Sequence, residues 1–463
     1  MGKPIATVTV LHADSLYAAQ PKIYPREIGG RFARLRIVAV FALLGIFYVF
    51  PWLRWDGRQA VLFDLPARKF YIFGLTFWPQ DFFWLAWLLI IAGLGLFFVT
   101  SVAGRLWCGY ACPQTVWTEV FLWIERACEG RRNQRIKLDA SPWNANKLLR
   151  KGGKQLAWVG LSAWTGFTFV GFFTPVTEIA REIASFDLGG WEGFWIVFYG
   201  FATYGNAGFL REQVCKYMCP YARFQSAMFD QDTLIVSYDV ARGEPRGSRK
   251  RSADPKALGL GDCVDCLACV QVCPTGIDIR DGLQYECIAC ASCIDACDEV
   301  MDKMGYARGL VSYTTESVST GKPRHLLRPR TLAYATLLLL LCATFVWGVG
   351  NRAPLIVEIL RDRNALYRLA SDGSIENSYT LKIVNKTRSS QHLHWAVVDN
   401  EHARIVGLHD ATFSTDDVGS LPLTLRAEPG ALSGMTRIKI AVSDDAGMLT
   451  TLQSAQFYSP ETR

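Results

Sequence analysis

Two runs of four cysteines fix what one part of this chain must be. "CVDCLACVQVCP" carries Cys263, Cys266, Cys269 and Cys273, and "CIACASCIDAC" carries Cys287, Cys290, Cys293 and Cys297. Both read Cys-x2-Cys-x2-Cys-x3-Cys. Spacing this short wraps soft thiolates around iron–sulfur clusters, and in bacterial two-cluster ferredoxins the fourth cysteine of each run ligates the other cluster. The pattern predicts two [4Fe–4S] clusters. One takes Cys263, Cys266, Cys269 and Cys297; the other takes Cys287, Cys290, Cys293 and Cys273. A pair of zinc sites is the alternative, but zinc favours paired Cys-x2-Cys over triplets. Asp298 stands where the first run has Pro274, which should change the turn after Cys297 and the local charge without changing ligation. Fourteen cysteines could instead form disulfides in a secreted chain. Their clustering and their need for reducing conditions place the cassette in the cytoplasm.

Half of the 463 residues are hydrophobic and only 20% are charged, so part of the chain belongs in lipid. A helix needs about 20 apolar residues to cross a bilayer. Five stretches qualify: Leu35–Leu53, Phe82–Val102, Leu156–Val176, Trp191–Phe209 and Thr331–Val349. The fourth carries Glu192 and Asn206, and a buried soluble helix is its alternative; length and flanking charge favour a span. The first lies too far from the N-terminus for a signal peptide, lacks a small-residue cleavage site, and is read as retained.

Lysine and arginine set the orientation. Ten of them lie between Arg105 and Lys154, whereas the loop after the third stretch has Arg181 against Glu178, Glu182 and Asp187. The N-terminal arm adds Lys22, Arg26, Arg31 and Arg34. The N-terminus, the loop after the second stretch and the segment Arg211–Arg330 therefore face the cytoplasm, and five crossings leave the C-terminus outside. The four basic residues of the loop Arg54–Asp81 argue weakly the other way. Arg249-Lys250-Arg251 resembles a nucleic-acid patch. Beside anionic lipid it reads better as a solvated or lipid-facing patch, and no nucleic-acid partner is expected.

Two further cysteine pairs close apolar stretches. "WCGYACP" holds Cys108 and Cys112; "VCKYMCP" holds Cys215 and Cys219. Residues four apart share a helix face, so the thiols of each pair can point the same way. Proline disfavours helix in the residue before it and suits the first turn of a new helix. Each span should end near its second cysteine, and "PQTVWTEVFLWIER" should form a helix along the inner membrane surface. The order span, span, Cys-x3-Cys-Pro occurs twice and reads as a pseudo-repeat that brings four thiols together, with ordinary interface cysteines as the alternative. Soft thiolates favour Cu(I), zinc or iron–sulfur chemistry. A bis-histidine haem relay does not fit, because none of the six histidines lies in a predicted span. No nucleotide-binding glycine motif is present either. Cys128 and Cys342 read as packing residues.

After Asn351 the pattern changes. "NSYTLKIVNKT" alternates Tyr379, Leu381 and Ile383 with polar positions, and "RIKIAVSDD" alternates Ile438, Ile440 and Val442. Such runs between turn residues predict a β-sandwich. In "HLHW" the alternation buries Leu393 and Trp395 and leaves His392 and His394 on the other face, as a solvated pair rather than a metal site.

The reading is a multi-domain membrane protein: a five-helix transmembrane bundle, an inserted 2[4Fe–4S] ferredoxin-like domain and a C-terminal immunoglobulin-like β-sandwich. Its expected parts are an arm over 1–34, four membrane helices over 35–210, the ferredoxin-type domain over 211–330, a fifth span over 331–350 and the β domain over 351–463. With its two Cys-x3-Cys-Pro motifs, its cassette and the stretch "LYRLASDGSIENSYTLKIVNKT", the chain resembles the CcoG/FixG/RdxA family of cytochrome c oxidase accessory proteins. The resemblance implies a cupric reductase of the bacterial inner membrane, its β domain periplasmic, that supplies Cu(I) for assembly of cbb3-type cytochrome c oxidase. Cys108, Cys112, Cys215 and Cys219 map onto the family's membrane cysteines as catalytic, copper-holding residues. The implied partners are copper ions, the lipid bilayer, oxidase assembly factors or a copper transporter, and a cytoplasmic or quinol electron donor; a homodimer is left open. The alternatives are a quinol-oxidising relay of the NapH or NosR kind, or a scaffold with structural clusters.

Overall fold

A computed structural model describes residues 22–460 except 256, 364, 388, 416–417 and 448–449. The part of the predicted arm before Lys22 lies outside these residues. Two compact units divide the chain, Met1–Cys342 and Ala343–Arg463.

In the first unit, α1 (Arg31–Val49) starts at Gly30. Its free amides on Phe32 and Ala33 donate to the Asp295 carboxylate at 3.2 and 2.7 Å, so a distant acid caps the helix. A Cβ on Gly30 would lie 2.3 Å from Asp295, which explains the glycine. Short strands follow α1, including an antiparallel meander of Val61–Asp64, Lys69–Ile72 and Leu75–Phe77. The loop Arg54–Asp81 therefore contains a small sheet, which its sequence does not announce. Then come α2 (Phe82–Ala103), α3 (Leu106–Tyr110), α4 (Pro113–Glu129) and α5 (Arg132–Ala140). They lead to α6 (Ala145–Val170), α7 (Val176–Ser185) and α8 (Gly190–Thr203). The last continues as a π-helix over Tyr204–Leu210.

Among the described residues, three helices are long and apolar enough to cross a membrane: Arg31–Trp52, Pro79–Ala103 and Pro329–Gly350. They coincide with the first, second and fifth predicted stretches. The other two stretches are helical with shifted bounds. Helix α6 starts at Ala145 rather than Leu156 because Asn144 caps it, accepting from the Lys147 amide at 2.8 Å. It stops at Val170 rather than Val176, and its first turns carry Lys147, Arg150, Lys151 and Lys154. Helices α6 and α8 approach at glycines: a Cβ on Gly166 would lie 2.2 Å from the Ile196 carbonyl, and one on Gly200 3.1 Å from that of Ser162. Small residues of this kind let helix backbones come close together.

After a π-helical turn (Val214–Met218), α9 (Pro220–Ala227) leads into the cassette. Strand Ile235–Tyr238 pairs antiparallel with Val311–Thr314. Between them lie α10 (Val240–Gly243), α11 (Ala268–Gln271) and α12 (Ser292–Met304); α13 (Glu316–Ser319) and α14 (Pro329–Gly350) follow. The turn after Cys297 is changed, as Asp298 in place of a proline leads one to expect. Without a proline there, α12 runs through Cys297 and Asp298 to Met304, and Asp298 accepts from the Gly309 amide at 2.9 Å.

The second unit is an antiparallel sandwich. One sheet orders Ala403–Val406, Val418–Ala427, Ile375–Asn385 and Leu355–Arg361, with Arg368–Leu369 also paired to Ile375–Asn385; the other orders Asp410–Phe413, Gln391–Val397, Met435–Asp444 and Thr450–Tyr458. The alternation read from sequence holds. Leu381, Ile383, Leu393, Trp395, Ile438, Ile440 and Val442 are buried in one core, while His392 and His394 are exposed.

Candidate redox site

Each cysteine run folds by the same backbone turn. Asp265 (φ 50°) and Leu267 (φ 57°) in the first run, and Ala289 (φ 53°) and Ala291 (φ 60°) in the second, are left-handed at matching offsets. Left-handed residues among right-handed ones turn successive N–H groups to one side, a concavity suited to an anion. Positive φ away from glycine is strained, and its repetition at the same offset marks loops shaped by what they hold.

Around one loop a cavity is lined by Cys263, Cys266, Cys269 and Cys297, with Tyr238, Leu310 and Val311. Around the other, Cys273, Cys287, Cys290 and Cys293 line a second cavity with Val236, Ile277 and Ile288; Cys269 also reaches it. The fourth cysteine of each run has crossed to the other cavity. Among the described residues, no three His, Cys, Asp or Glu side chains form a group that could hold a single metal ion. A cubane needs no such convergence, because each thiolate takes a different iron. Thiol number, loop shape and apolar walls fit that group.

Burial pushes the Cys269 thiol up to about 11 and those of Cys287 and Cys297 up to about 12, with neighbouring thiols adding to the effect. Such thiols hold their protons at neutral pH. Iron must displace them, so loading favours higher pH.

Both prolines act as the sequence reading expects. Cys112 and Cys219 are N-caps, and Pro113 and Pro220 open α4 and α9. The shared helix face does not form, however. Cys108 sits in α3 and Cys215 in the π-helical turn, while Cys112 (φ −62°, ψ 129°) and Cys219 (φ −79°, ψ 108°) are extended. The following proline forces each out of the helix. The four thiols nevertheless form one electrostatic neighbourhood. Burial, then Cys112, pushes Cys108 up to about 12; burial, then Cys112 and Cys219, pushes Cys215 up to about 11. Cys108 Sγ donates to Gln225 Oε1 at 3.2 Å.

Sequence reasoning missed the residues that join these thiols to the cassette. A Cβ on Gly109, between Cys108 and Cys112, would lie 2.7 Å from the Ile288 carbonyl oxygen and 2.9 Å from Cys290 Cα. The Arg105 side chain, 4% exposed, donates to the carbonyls of Tyr285, Cys287 and Ala222 and to Ser226 Oγ. Arg36 donates to the Cys290 carbonyl. Nearby, Glu125 is fully buried against Arg211 at 2.6 Å, Arg135 at 3.6 Å and Lys22 at 3.5 Å, and Glu129 against Lys154 at 2.9 Å and Lys151 at 3.0 Å. A chamber opens between the thiols and the cassette, with Cys215, Cys290, Arg36 and Arg135 on its wall.

Residues 210–316 match the 4Fe-4S dicluster domain family, residues 83–129 a 4Fe-4S binding domain family, and residues 345–460 the IG-like fold at the C-terminus of FixG. Over 459 residues the chain is 40% identical to protein RdxA of Cereibacter sphaeroides, covering 94% of this chain and 96% of RdxA. The chain belongs to the FixG/RdxA family. It is 43% identical over 407 residues to the nitrogen fixation protein FixG of Rhizobium meliloti, covering 80% of this chain and 78% of FixG. To protein RdxB of Cereibacter sphaeroides it is 44% identical over 387 residues, 81% of each chain. The FixG family therefore supplies 4Fe–4S domains where the structure has the cysteine cavities, and its immunoglobulin-like domain where the structure has the sandwich. The 83–129 match also encloses Cys108 and Cys112, which lie outside both four-cysteine runs.

Proposed function

We propose that this FixG-family protein is a cupric reductase of the bacterial inner membrane, supplying Cu(I) to the assembly of cbb3-type cytochrome c oxidase. The observation that carries the reading is the seating of Gly109, which lies between Cys108 and Cys112, directly against the loop of Cys287, Cys290 and Cys293. Held by the two cysteine sets, Cys263, Cys266, Cys269 and Cys297, and Cys273, Cys287, Cys290 and Cys293, the clusters would supply one-electron transfer. Each turnover takes one electron, from a cytoplasmic donor or as half of the pair that a quinol releases, and converts one Cu(II) to one Cu(I). Copper is taken by thiols drawn from Cys108, Cys112, Cys215 and Cys219, which among the described residues form no ready three-ligand group and must close on the ion; soft thiolates favour Cu(I) as the product. Arg105 holds the cassette in place.

Five crossings fit this reading. The end of α6 is tied to the strands that follow α1, since Gln59 Nε2 donates to the Gly171 carbonyl at 2.6 Å and Gln59 Oε1 accepts from the Val176 amide at 3.0 Å. In its N-terminal half α6 is tied to the end of α4 through Lys154 and Glu129. On this reading α6 crosses beside α1, which begins on Asp295. With α8 packed along α6, this reading puts the thiols and the cassette at the cytoplasmic face.

The test is the double variant Cys108→Ser, Cys112→Ser. It should keep the absorbance of both clusters and lose copper binding and Cu(II) reduction. Wild-type Cu(II) reduction in that variant would place copper elsewhere and move a quinol-fed relay ahead.

A further inference from the structure

We propose that the cluster site of Cys273, Cys287, Cys290 and Cys293, and not that of Cys263, Cys266, Cys269 and Cys297, is the immediate redox neighbour of the membrane thiols. Gly109 and Arg105 are the positioning residues that set the contact. The proposal rests on the electron-transfer reading above and assigns an order within it.

Three observations carry it. At Gly109 the chain between two membrane cysteines touches the second cysteine loop backbone to backbone: a Cβ would meet the Ile288 carbonyl at 2.7 Å and both Cα and N of Cys290 at 2.9 Å. Any side chain there must open the gap, since the atoms it meets are main chain and cannot swing aside. Next, one guanidinium bridges the same two parts. Arg105 reaches the Tyr285 and Cys287 carbonyls of the cassette, and Ala222 and Ser226 on the helix that starts after Cys219. The other site, in contrast, carries the one exposed cysteine of the eight, Cys266, followed by the exposed Leu267. Transfer between buried centres falls steeply with distance, so the order is donor, Cys266 site, Cys290 site, membrane thiols.

The test uses the full chain, loaded with iron and reduced by dithionite. Gly109→Ala should bind as much iron as wild type and shift the electron paramagnetic signal of one cluster. In a Cys266→Ser background, where the surviving signal belongs to the second set, the shift should persist. Reoxidation of the clusters by Cu(II) should slow by roughly tenfold or more, as small misplacements do, while reoxidation by ferricyanide at the exposed site stays at the wild-type rate. Should Gly109→Ala fail to load iron, the pair Arg105→Gln and Arg105→Lys carries the test, with the shift expected in the first and partly rescued in the second. A fully loaded Gly109→Ala with both signals and Cu(II) reoxidation unchanged overturns the proposal, as does a shift confined to the cluster lost in Cys266→Ser. The spectral arm uses no copper. A wild type that reduces no Cu(II) ends the cupric-reductase reading and leaves the spectral result to decide this one.

Discussion

Changing Glu125 to Gln removes the single carboxylate that faces three cations. Glu125 is 0% exposed, and the side chains of Arg135 and Arg211 are 2% and 10% exposed. Without the charge, Arg135 keeps the Pro25 carbonyl at 2.8 Å and Arg211 keeps that of Gly208 at 2.8 Å, neither of them a carboxylate. Lys22 is 42% exposed and still holds Asp139 at 2.9 Å, so it contributes little to the loss. Removing one partner of a buried ion pair costs about 3–5 kcal/mol. At 1.4 kcal/mol per decade that is roughly two to three and a half orders of magnitude in the local opening equilibrium. Hydrogen exchange read by mass spectrometry measures this directly, since a chain of two units does not unfold in one step. Amides in α4 and α5 should exchange about a hundredfold faster or more, with strand Ile375–Asn385 unchanged. Burial pushes the Glu125 carboxyl up, but Arg211 and Lys22 outweigh it and hold it below its usual range. Its stabilisation is therefore present above the unfolded value, about 4.3, and is lost as pH falls through the lower folded value. Exchange within about fivefold of wild type at neutral pH, well under 1.4 kcal/mol, refutes the reasoning. Replacing the group together, Glu125→Leu with Arg135→Met and Arg211→Met, should recover much of the loss, because a buried ion cluster is not intrinsically more stable than apolar packing.

Iron analysis of anaerobically purified protein should give about eight irons per chain, as two cubanes require; about four would mean that one set of thiols is not loaded. In the second unit, His392 lies 3.0 Å from both Asp445 and Asp410, which raise its pKa, the Asp445 hydrogen bond most. The stabilisation is full below the unfolded value of about 6.5 and fades as pH rises through the folded value. Histidine resonances should show His392 titrating late, and His392→Gln should flatten the fall in melting temperature above neutrality; an unshifted titration contradicts the pairing.

What was legible in sequence was what local spacing determines. Eight thiols at fixed offsets must wrap something, and a proline after a cysteine must start a helix, so the two runs and the N-caps at Cys112 and Cys219 could be read directly. Strand alternation likewise separated Trp395 from His392. The helix face shared by Cys108 and Cys112 was misread because the rule of four was applied across a residue that proline takes out of the helix. The bounds of α6 were misread because hydropathy begins at Leu156, whereas the helix begins at its cap, Asn144. Gly109 and Arg105 were beyond reach. A glycine beside a cysteine, or one arginine among ten basic residues, acquires a role only from a partner some 180 positions away in sequence.

The anchors of the cassette share a chemical logic. Asp295 receives the first amides of α1; Arg36 and Arg105 take the carbonyls of Cys290 and Cys287; Tyr313 donates to the Ala289 carbonyl at 2.6 Å. Each grips backbone or a carboxylate, and none takes a cysteine sulfur. The thiols stay available for metal while the loops that carry them are fixed to α1 and to the segment after α2. Two hydroxyls approach sulfur in the second set, Thr275 at 3.3 Å from Cys273 and Ser292 at 3.5 Å from Cys290, beside backbone groups at Cys273 and Cys287. Hydrogen bonds to the sulfurs are one of the levers that set a cluster's potential. Position is thus controlled through main-chain atoms and potential through the sulfurs, so a substitution at Gly109 can change the gap while the ligand set stays intact.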